Sequence, residues 1–206
     1  MVERVDDGDG DGREEAALAT KDTADRGQWL ILTYRIPSEP SRLRALVWRR
    51  LKSLGAIYLV NSAAALPVSR SGERALRKLR TEIIDEMGGT AVLLLCDPLG
   101  GASELVAAFN AARDDEYEEI IDRCVDFVAQ VNKEIVGDHF TYAELEENEE
   151  DLNKLHRWFE KVLARDVLHA LGAQRARSEI ERCEGVLEAF AEQVYQRDGV
   201  ERGDAG

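Results

Sequence analysis

Residues 56–66 read AIYLVNSAAAL, and this stretch decides the fold. Two short apolar runs, 56–60 and 63–66, are separated only by Asn61-Ser62, which is the spacing of a two-residue β-hairpin. Pro67 closes the second run, because proline cannot donate a hydrogen bond to a central ladder. The stretch therefore predicts two antiparallel strands in the middle of a folded region.

A strand and a helix are predicted before this hairpin. Residues 29–36, WLILTYRI, are rich in β-forming side chains and predict a buried strand. Ser38 and Pro40 predict the cap and the first turn of a helix, and Gly55 predicts its end. One face of this helix carries the apolar residues Leu43, Val47, Leu51 and Leu54.

The same pattern follows the hairpin. Ser71 predicts the cap of a second helix, and Gly88-Gly89 predicts its end. Residues 90–96, TAVLLLC, predict a fourth strand. The apolar stripe of the second helix comprises Leu76, Leu79, Ile83 and Met87.

The order β-α-β-β-α-β predicts an α+β protein with a ferredoxin-like domain over residues 27–100. Two helices are expected to cover one face of a four-stranded sheet. The other face needs a cover too, supplied either by the C-terminal helices or by a partner chain. We expect a homodimer paired through that face.

An antiparallel helical extension is predicted after the fourth strand. Residues 102–136 form its first helix, Thr141 to Glu144 (TYAE) is a capping box for the next, and residues 174–196 form the last. Phe140 and Leu145 stand in the positions of a hydrophobic staple. The apolar stripes comprise Tyr117, Ile121, Cys124, Val128, Val131 and Ile135, then Leu152, Leu155, Trp158 or Phe159, and Val162, then Ile180, Cys183, Leu187, Phe190 and Val194.

Charge divides the chain, whose formal net charge is -14, into three parts. Residues 1–26 have 4 basic and 9 acidic side chains and few large apolar ones, which predicts a disordered acidic tail. Residues 27–90 have 11 basic and 5 acidic side chains, a net charge of +6. Residues 91–206 have 12 basic and 27 acidic side chains, a net charge of -15. Within them the helical extension covers 101–197, and 198–206 are expected to fray.

The cysteines indicate a reducing compartment. There are three, an odd number without a C-x-x-C spacing, and each falls in an apolar pattern, so buried free thiols are expected. The N-terminus has no apolar segment typical of a secretory signal, and no run approaches the roughly 18 apolar residues of a membrane span. We therefore expect a cytoplasmic protein with no membrane partner.

The basic residues of the two predicted helices are candidates for contact with phosphates. On a helical wheel Arg42, Arg49 and Lys52 lie opposite the apolar stripe of the first helix, and Arg44 and Arg50 flank it. A surface of this kind neutralises several phosphates and binds nucleic acid in a salt-dependent way. Two other readings stay open, ordinary solvated helix faces and pairing with acids of the C-terminal helices. The candidate contacts are Arg42, Arg49, Arg50, Lys52, Arg74 and Lys78.

A small oxyanion site is a second hypothesis for some of these residues. Backbone N–H groups and the helix dipole favour an anion where the second helix begins. Arg70, Ser71 and Arg74 are the candidate ligands. The alternative is a plain N-cap with no ligand.

No motif in the sequence points to catalysis. The chain lacks G-x-S-x-G, H-E-x-x-H and P-loop patterns, and its acid-rich run at residues 144–151 lacks the spacing of an EF-hand. CRISPR-associated ferredoxin-like nucleases use an aspartate near the end of the first strand, and residues 33–36 contain no carboxylate. We expect no catalytic residues, no metal site and no cofactor, and therefore not an enzyme.

Several stretches together resemble the N-terminal region of ChrB, the chromate-resistance regulator family, over about residues 28–197. The stretches are WLILTYRIP at 29–37, VWRRLK at 47–52, GAIYL at 55–59, FTYAEL at 140–145 and ARD at 164–166. The resemblance implies a transcription regulator of a type often encoded beside a chromate transporter. In longer members a further C-terminal domain is associated with the response to chromate. Because the chain stops at Gly206, we expect it to lack that domain.

Two functions follow as hypotheses. The first is a regulator or accessory factor of the chromate-resistance type that contacts DNA phosphates through its arginine-rich helices. The alternative is a protein-interaction module that works through the acidic C-terminal helices and binds no nucleic acid. An enzyme or a direct oxyanion binder ranks below both.

Overall fold

The computed structural model describes residues 27–203 of the chain. These residues form four strands and five helices, and they divide into two compact units between Leu105 and Val106. The predicted acidic tail at residues 1–26 lies outside the described residues, as do residues 204–206. The predicted α+β class is confirmed.

The first unit contains one antiparallel sheet and two helices. Its strands stand in the order β2-β3-β1-β4, and every neighbouring pair is antiparallel. The elements follow one another as β1-α1-β2-β3-α2-β4. Their bounds are β1 Trp29–Arg35, α1 Arg42–Ser53, β2 Ile57–Val60, β3 Ala63–Pro67, α2 Arg70–Asp85 and β4 Thr90–Cys96.

The hairpin forms where the sequence predicts it. Val60 pairs with Ala63, so Asn61 and Ser62 make the two-residue turn. The register shifts between Tyr58 and Val60, which places a bulge on the edge strand β2. The amide of Tyr34 in β1 donates to the Ser62 carbonyl over 2.9 Å, so the turn is fastened to the central strand.

One face of the sheet packs against α2, and the opposite face is exposed along the edge strand β4. On one face Leu30 pairs with Leu66, and both are buried. A methyl group at Gly72 of α2 would lie 3.7 Å from Leu30 Cδ1, so α2 packs on this face. On the opposite face of the edge strand β4, Val92 and Leu94 are 53% and 45% exposed. This side of β4 therefore presents apolar surface.

Both helices of the first unit bury the predicted apolar stripes. Val47 and Leu51 of α1 are fully buried, whereas Leu43 and Leu54 at its ends are half-buried. Complete burial of one such side chain stabilises the fold by roughly 1.5–3 kcal/mol. The stripe of α2, Leu76, Leu79 and Ile83 with Met87 just beyond the helix, is entirely buried.

The predicted start of α1 is wrong by three residues. Ser38 was expected as the cap and Pro40 as the first turn, but the helix begins at Arg42. The amide of Leu43 donates to the Pro40 carbonyl over 3.1 Å, which is the bond of a tight turn rather than of an α-helix. The chain therefore turns before it becomes helical.

Three long helices make up most of the remaining chain. They are α3 Ala102–Val136, which begins in the first unit, α4 Tyr142–Leu163 and α5 Gly172–Gly203. The predicted cap of α4 is confirmed, because Thr141 Oγ1 accepts a hydrogen bond from the Glu144 amide over 3.2 Å. The last helix runs beyond residue 196, where the apolar stripe predicts its end.

The core of the second unit follows the predicted stripes except at Ile135. Ile135 is 38% exposed, because Glu134 takes the buried position there and accepts a hydrogen bond from Asn148 Nδ2 over 2.5 Å. Of the two aromatic candidates in α4, Phe159 is buried and Trp158 is only partly covered. Ile120 and Phe127 join the core although the single stripe omitted them.

The described helices do not resemble membrane spans. None of those between residues 27 and 203 combines the length and the apolar character needed to cross a bilayer.

Candidate functional site

The predicted basic residues of α1 lie on two different surfaces. Arg42, Arg49 and Lys52 are exposed on its outer side. Lys52 Nζ lies 5.6 Å from the centre of the Trp48 ring, which is a cation–π distance. Arg50 instead faces α2. The outer side of α1 therefore presents three cations to solvent, one of them held over an aromatic ring.

An ion pair joins the two helices. Arg50 Nη1 bonds to Glu82 Oε2, and the Glu82 side chain is only 10% exposed whereas that of Arg50 is 42% exposed. The hydrogen bond to Glu82 raises the pKa of the Arg50 guanidinium above its ordinary value. A buried carboxylate is costly without a partner. Arg50 thus links α1 to α2 through a largely buried carboxylate.

The outer side of α2 is basic as well. Arg74 and Lys78 are both exposed. Arg77 is exposed as well, but it bonds to Glu73 one turn earlier, with 2.8 Å between Arg77 Nε and Glu73 Oε1. We call Arg42, Arg49, Lys52, Arg74 and Lys78 the basic surface. Whether these residues contact phosphates stays a prediction.

The start of α2 differs from the predicted oxyanion site. Ser69, not Ser71, caps the helix, because its extended backbone turns Oγ back to accept from the Gly72 amide over 3.0 Å. Ser71 and Arg70 lie in the first turn and are exposed. Glu73 also lies in this turn, and its charge opposes an anion there. The oxyanion hypothesis for Arg70, Ser71 and Arg74 stays untested.

The structure reveals a cleft in the first unit that sequence reasoning missed. Its volume is about 540 Å³, and it opens between the end of β1, the flank of α1 and the β2–β3 turn. Three aromatic rings and two guanidinium groups contribute to its lining. The principal lining residues are Tyr34, Arg35, Arg44, Trp48, Tyr58 and Asn61.

Aromatic rings and hydrogen-bonding groups are both accessible in this cleft. Trp48 is 50% exposed and Tyr58 is 37% exposed. The hydroxyl groups of Tyr34 and Tyr58 are hydrogen-bonded over 3.1 Å. Burial, followed by this bond to Tyr34, raises the pKa of Tyr58 above its ordinary value. The signal in the sequence was Trp48, a large aromatic residue beside the arginines of α1.

The acidic residues of α4 lie on its solvent side. Glu146, Glu147, Glu149, Glu150 and Asp151 are all exposed. Among residues 27–203, no group of three or more histidine, cysteine, aspartate or glutamate side chains is placed to hold a metal ion. The expectations of no catalysis and no cofactor stay predictions.

Comparison with known protein families identifies one that matches this chain. The family described as "Protein ChrB, N-terminal" matches residues 44–200, which is more than half of the chain. The chain belongs to the ChrB family. The matched residues begin within α1 and include most of α5. No curated protein and no solved structure matches the chain.

One stretch that carried the ChrB resemblance, residues 164–166, joins the helices of the second unit. Asp166 accepts from the Tyr117 hydroxyl over 3.1 Å and from the Ala170 amide over 3.0 Å. Arg165 bonds to Glu116 of α3 over 2.7 Å. In this ChrB-family chain the stretch holds the α4–α5 connection against α3.

Proposed function

We propose that this ChrB-family chain is a transcriptional regulator or accessory factor of the chromate-resistance type that contacts DNA phosphates through α1 and α2. The observation that carries the proposal is the basic surface, five exposed cations on two helices that the Arg50–Glu82 pair holds side by side. Family membership supports the regulatory role. A surface of this kind binds DNA mainly by releasing counterions.

The fold assignment is part of the proposal. We assign the first unit to the ferredoxin-like class, and its element order together with the strand order β2-β3-β1-β4 supports this assignment. In this class both helices cover the same face of the sheet. Their outer sides are then free for a long, flat partner such as duplex DNA.

A homodimer fits the same role. We propose that two copies pair through the uncovered part of the sheet, where Val92 and Leu94 of β4 are exposed. Pairing there leaves α1 and α2 outward and doubles the basic surface, as a two-fold operator requires. Light scattering of wild type and of a Val92→Glu, Leu94→Lys variant tests this. A variant of unchanged mass would contradict pairing through this face.

We place the protein in the cytoplasm and assign it no catalytic activity and no cofactor. Three free cysteines, two of them buried, support a reducing compartment. A regulator that acts on DNA also needs this location.

A salt titration tests DNA binding. Duplex DNA is titrated with wild type, with an Arg42→Ala, Arg49→Ala variant and with Lys161→Ala, which removes an exposed cation of the second unit. We expect the double variant to bind more weakly. The plot of log K against log salt should also become less steep by about 2, since each lost phosphate contact removes roughly 0.9 from the magnitude of its negative slope. Lys52 is spared because it contacts Trp48. The proposal would be refuted if wild type does not bind DNA at low salt, or if Lys161→Ala weakens binding as much as the double variant does.

The second candidate function is a protein-interaction module. The exposed acids of α4, Glu146 to Asp151, favour it, because a concentrated negative face suits a basic protein partner. Replacing Glu146, Glu147 and Glu150 by glutamine removes three charges from that face. Partner capture that survives Arg49→Ala but fails in this variant would favour this function over DNA binding.

A further inference from the structure

The cleft on the flank of α1 has the dimensions of a ligand site. Its volume of about 540 Å³ falls within the range of roughly 300–1,000 Å³ that small-molecule sites occupy. A tetrahedral oxyanion would fill only a small part of it. The cleft lies within the first unit, between β1, α1 and the β2–β3 turn. The volume of the cleft therefore suits an organic ligand that has several rings, or one ring with substituents.

Aromatic side chains give the cleft a surface for stacking. Half of Trp48 is exposed, which is unusual for a large apolar ring, and Tyr58 on the edge strand is 37% exposed. Tyr34 fixes Tyr58 through the bond between their hydroxyl groups. Nucleic-acid bases stack on exposed rings of this kind whatever their sequence.

Positive charge accompanies the rings. Arg35 at the end of β1 and Arg44 in the first turns of α1 both line the cleft. Among the described residues, the lining of this cleft includes no aspartate or glutamate. Guanidinium groups bind phosphate in a two-pronged geometry, so the charge favours a phosphate-bearing ligand.

The cleft also contains polar groups that could form hydrogen bonds with the edge of a nucleic-acid base. Asn61 offers an amide with both donors and an acceptor, and Ser62 beside it offers a hydroxyl. The turn that carries them is held to β1 by the bond from the Tyr34 amide to the Ser62 carbonyl, 2.9 Å long. The turn that carries these groups is therefore held in place beside the end of β1.

We propose that this cleft binds one nucleotide, with its base stacked on Trp48 and its phosphate held by Arg44 and Arg35. The nucleotide belongs either to an unstacked position of a nucleic-acid strand or to a free nucleoside monophosphate. The first source rests on the proposed function, because α1 carries both this cleft on its flank and three residues of the basic surface on its outer side. The second source does not depend on DNA binding.

Calorimetric titration of the full chain tests the proposal with two probes, oligodeoxyadenylate and deoxyadenosine monophosphate. We expect binding that Trp48→Ala weakens about fivefold or more, since one stacked base contributes at least that factor. Trp48→Phe should retain most of the affinity because it keeps a ring. Arg44→Gln should also weaken binding, and Tyr195→Ala, which removes an exposed ring of the second unit, should not.

The outcomes separate the two sources. Binding of the oligonucleotide alone assigns the cleft to an unstacked base of a strand, and binding of the monophosphate assigns it to a free nucleotide. No binding of either probe overturns the inference, as does equal affinity in wild type, Trp48→Ala and Arg44→Gln. The duplex titration with Arg42 and Arg49 replaced reports on the proposed function separately. Monophosphate binding without duplex binding would reject that function and keep this cleft.

Discussion

Asp166 offers the sharpest test of how the second unit is held together. Its carboxylate is 6% exposed and accepts two hydrogen bonds, one on each oxygen. The donors are the Tyr117 hydroxyl on α3, fully buried, and the amide of Ala170, which is 6% exposed. Asp166→Ala removes both acceptors from a site where Tyr117 is 0% exposed.

The expected cost follows from these two donors. A hydrogen bond to a charged group contributes roughly 1.5–3 kcal/mol, and a buried donor left unsatisfied costs about 1–3 kcal/mol. Removing the aspartate also removes the cost of burying its charge, which offsets part of the loss. We therefore expect Asp166→Ala to lower the free energy of unfolding by about 3 kcal/mol. Asp166→Asn should cost about 1 kcal/mol, because its carbonyl can still accept from Ala170 while its amide donates to the Tyr117 oxygen.

Urea unfolding followed by far-UV circular dichroism measures these differences, since α3, α4 and α5 dominate the signal. Asp122→Ala, which replaces an exposed carboxylate of α3, is the control and should leave the unfolding midpoint unchanged. In Asp166→Ala, the backbone amides in the turn of α3 that contains Tyr117 should exchange their hydrogens faster than in wild type. A loss below about 1 kcal/mol in Asp166→Ala, or a larger loss in Asp166→Asn, would refute the role given to this carboxylate.

Two further predictions concern pH and backbone space. Burial, followed by the charge of Asp166, raises the pKa of Tyr117 above its ordinary value of 10.0, so the unfolded chain loses this proton first. The free energy of unfolding that this raised pKa contributes should be fully present below about pH 10 and should be lost as the pH rises above it. In urea titrations at several pH values, Tyr117→Phe should make this alkaline loss of stability smaller, and an unchanged pH dependence would contradict the role given to Tyr117. Gly89→Ala should cost more than about 1 kcal/mol, because its methyl group would lie 2.5 Å from a backbone oxygen of β1. Gly185→Ala meets open space in α5 and should stabilise by up to about 1 kcal/mol; equal thermal midpoints for the two variants would count against this reasoning.

Local patterns in the sequence predicted the elements well. The fourth strand has the predicted bounds of residues 90–96, and the turn at Asn61-Ser62 follows from its two-residue spacing. Helix starts were less predictable, because serine at several neighbouring positions can cap equally well. Whether Ser69 or Ser71 caps α2 depends on which residue takes an extended backbone, and the surrounding fold decides that.

The functional site was only partly predictable, for a related reason. Exposure of Arg42, Arg49 and Lys52 follows from helical periodicity alone. The pairing of Arg50 with Glu82 joins residues 32 positions apart, so it needs the packing of two helices that periodicity does not describe. The cleft draws on three elements at once. Within one segment the only signal was Trp48 beside the arginines of α1, and the other lining residues come together only in the fold.

The basic residues of α1 have different roles, so they should not be treated as one set. On a helical wheel Arg50 and Arg44 lie on opposite flanks of the buried Val47/Leu51 face. Arg50 meets a buried carboxylate of α2, so its charge is used within the fold. Arg44 shares its flank with Trp48 one turn later, and both line the cleft. Replacing Arg50 should therefore loosen the helix pair, whereas replacing Arg44 should change ligand binding while the fold persists.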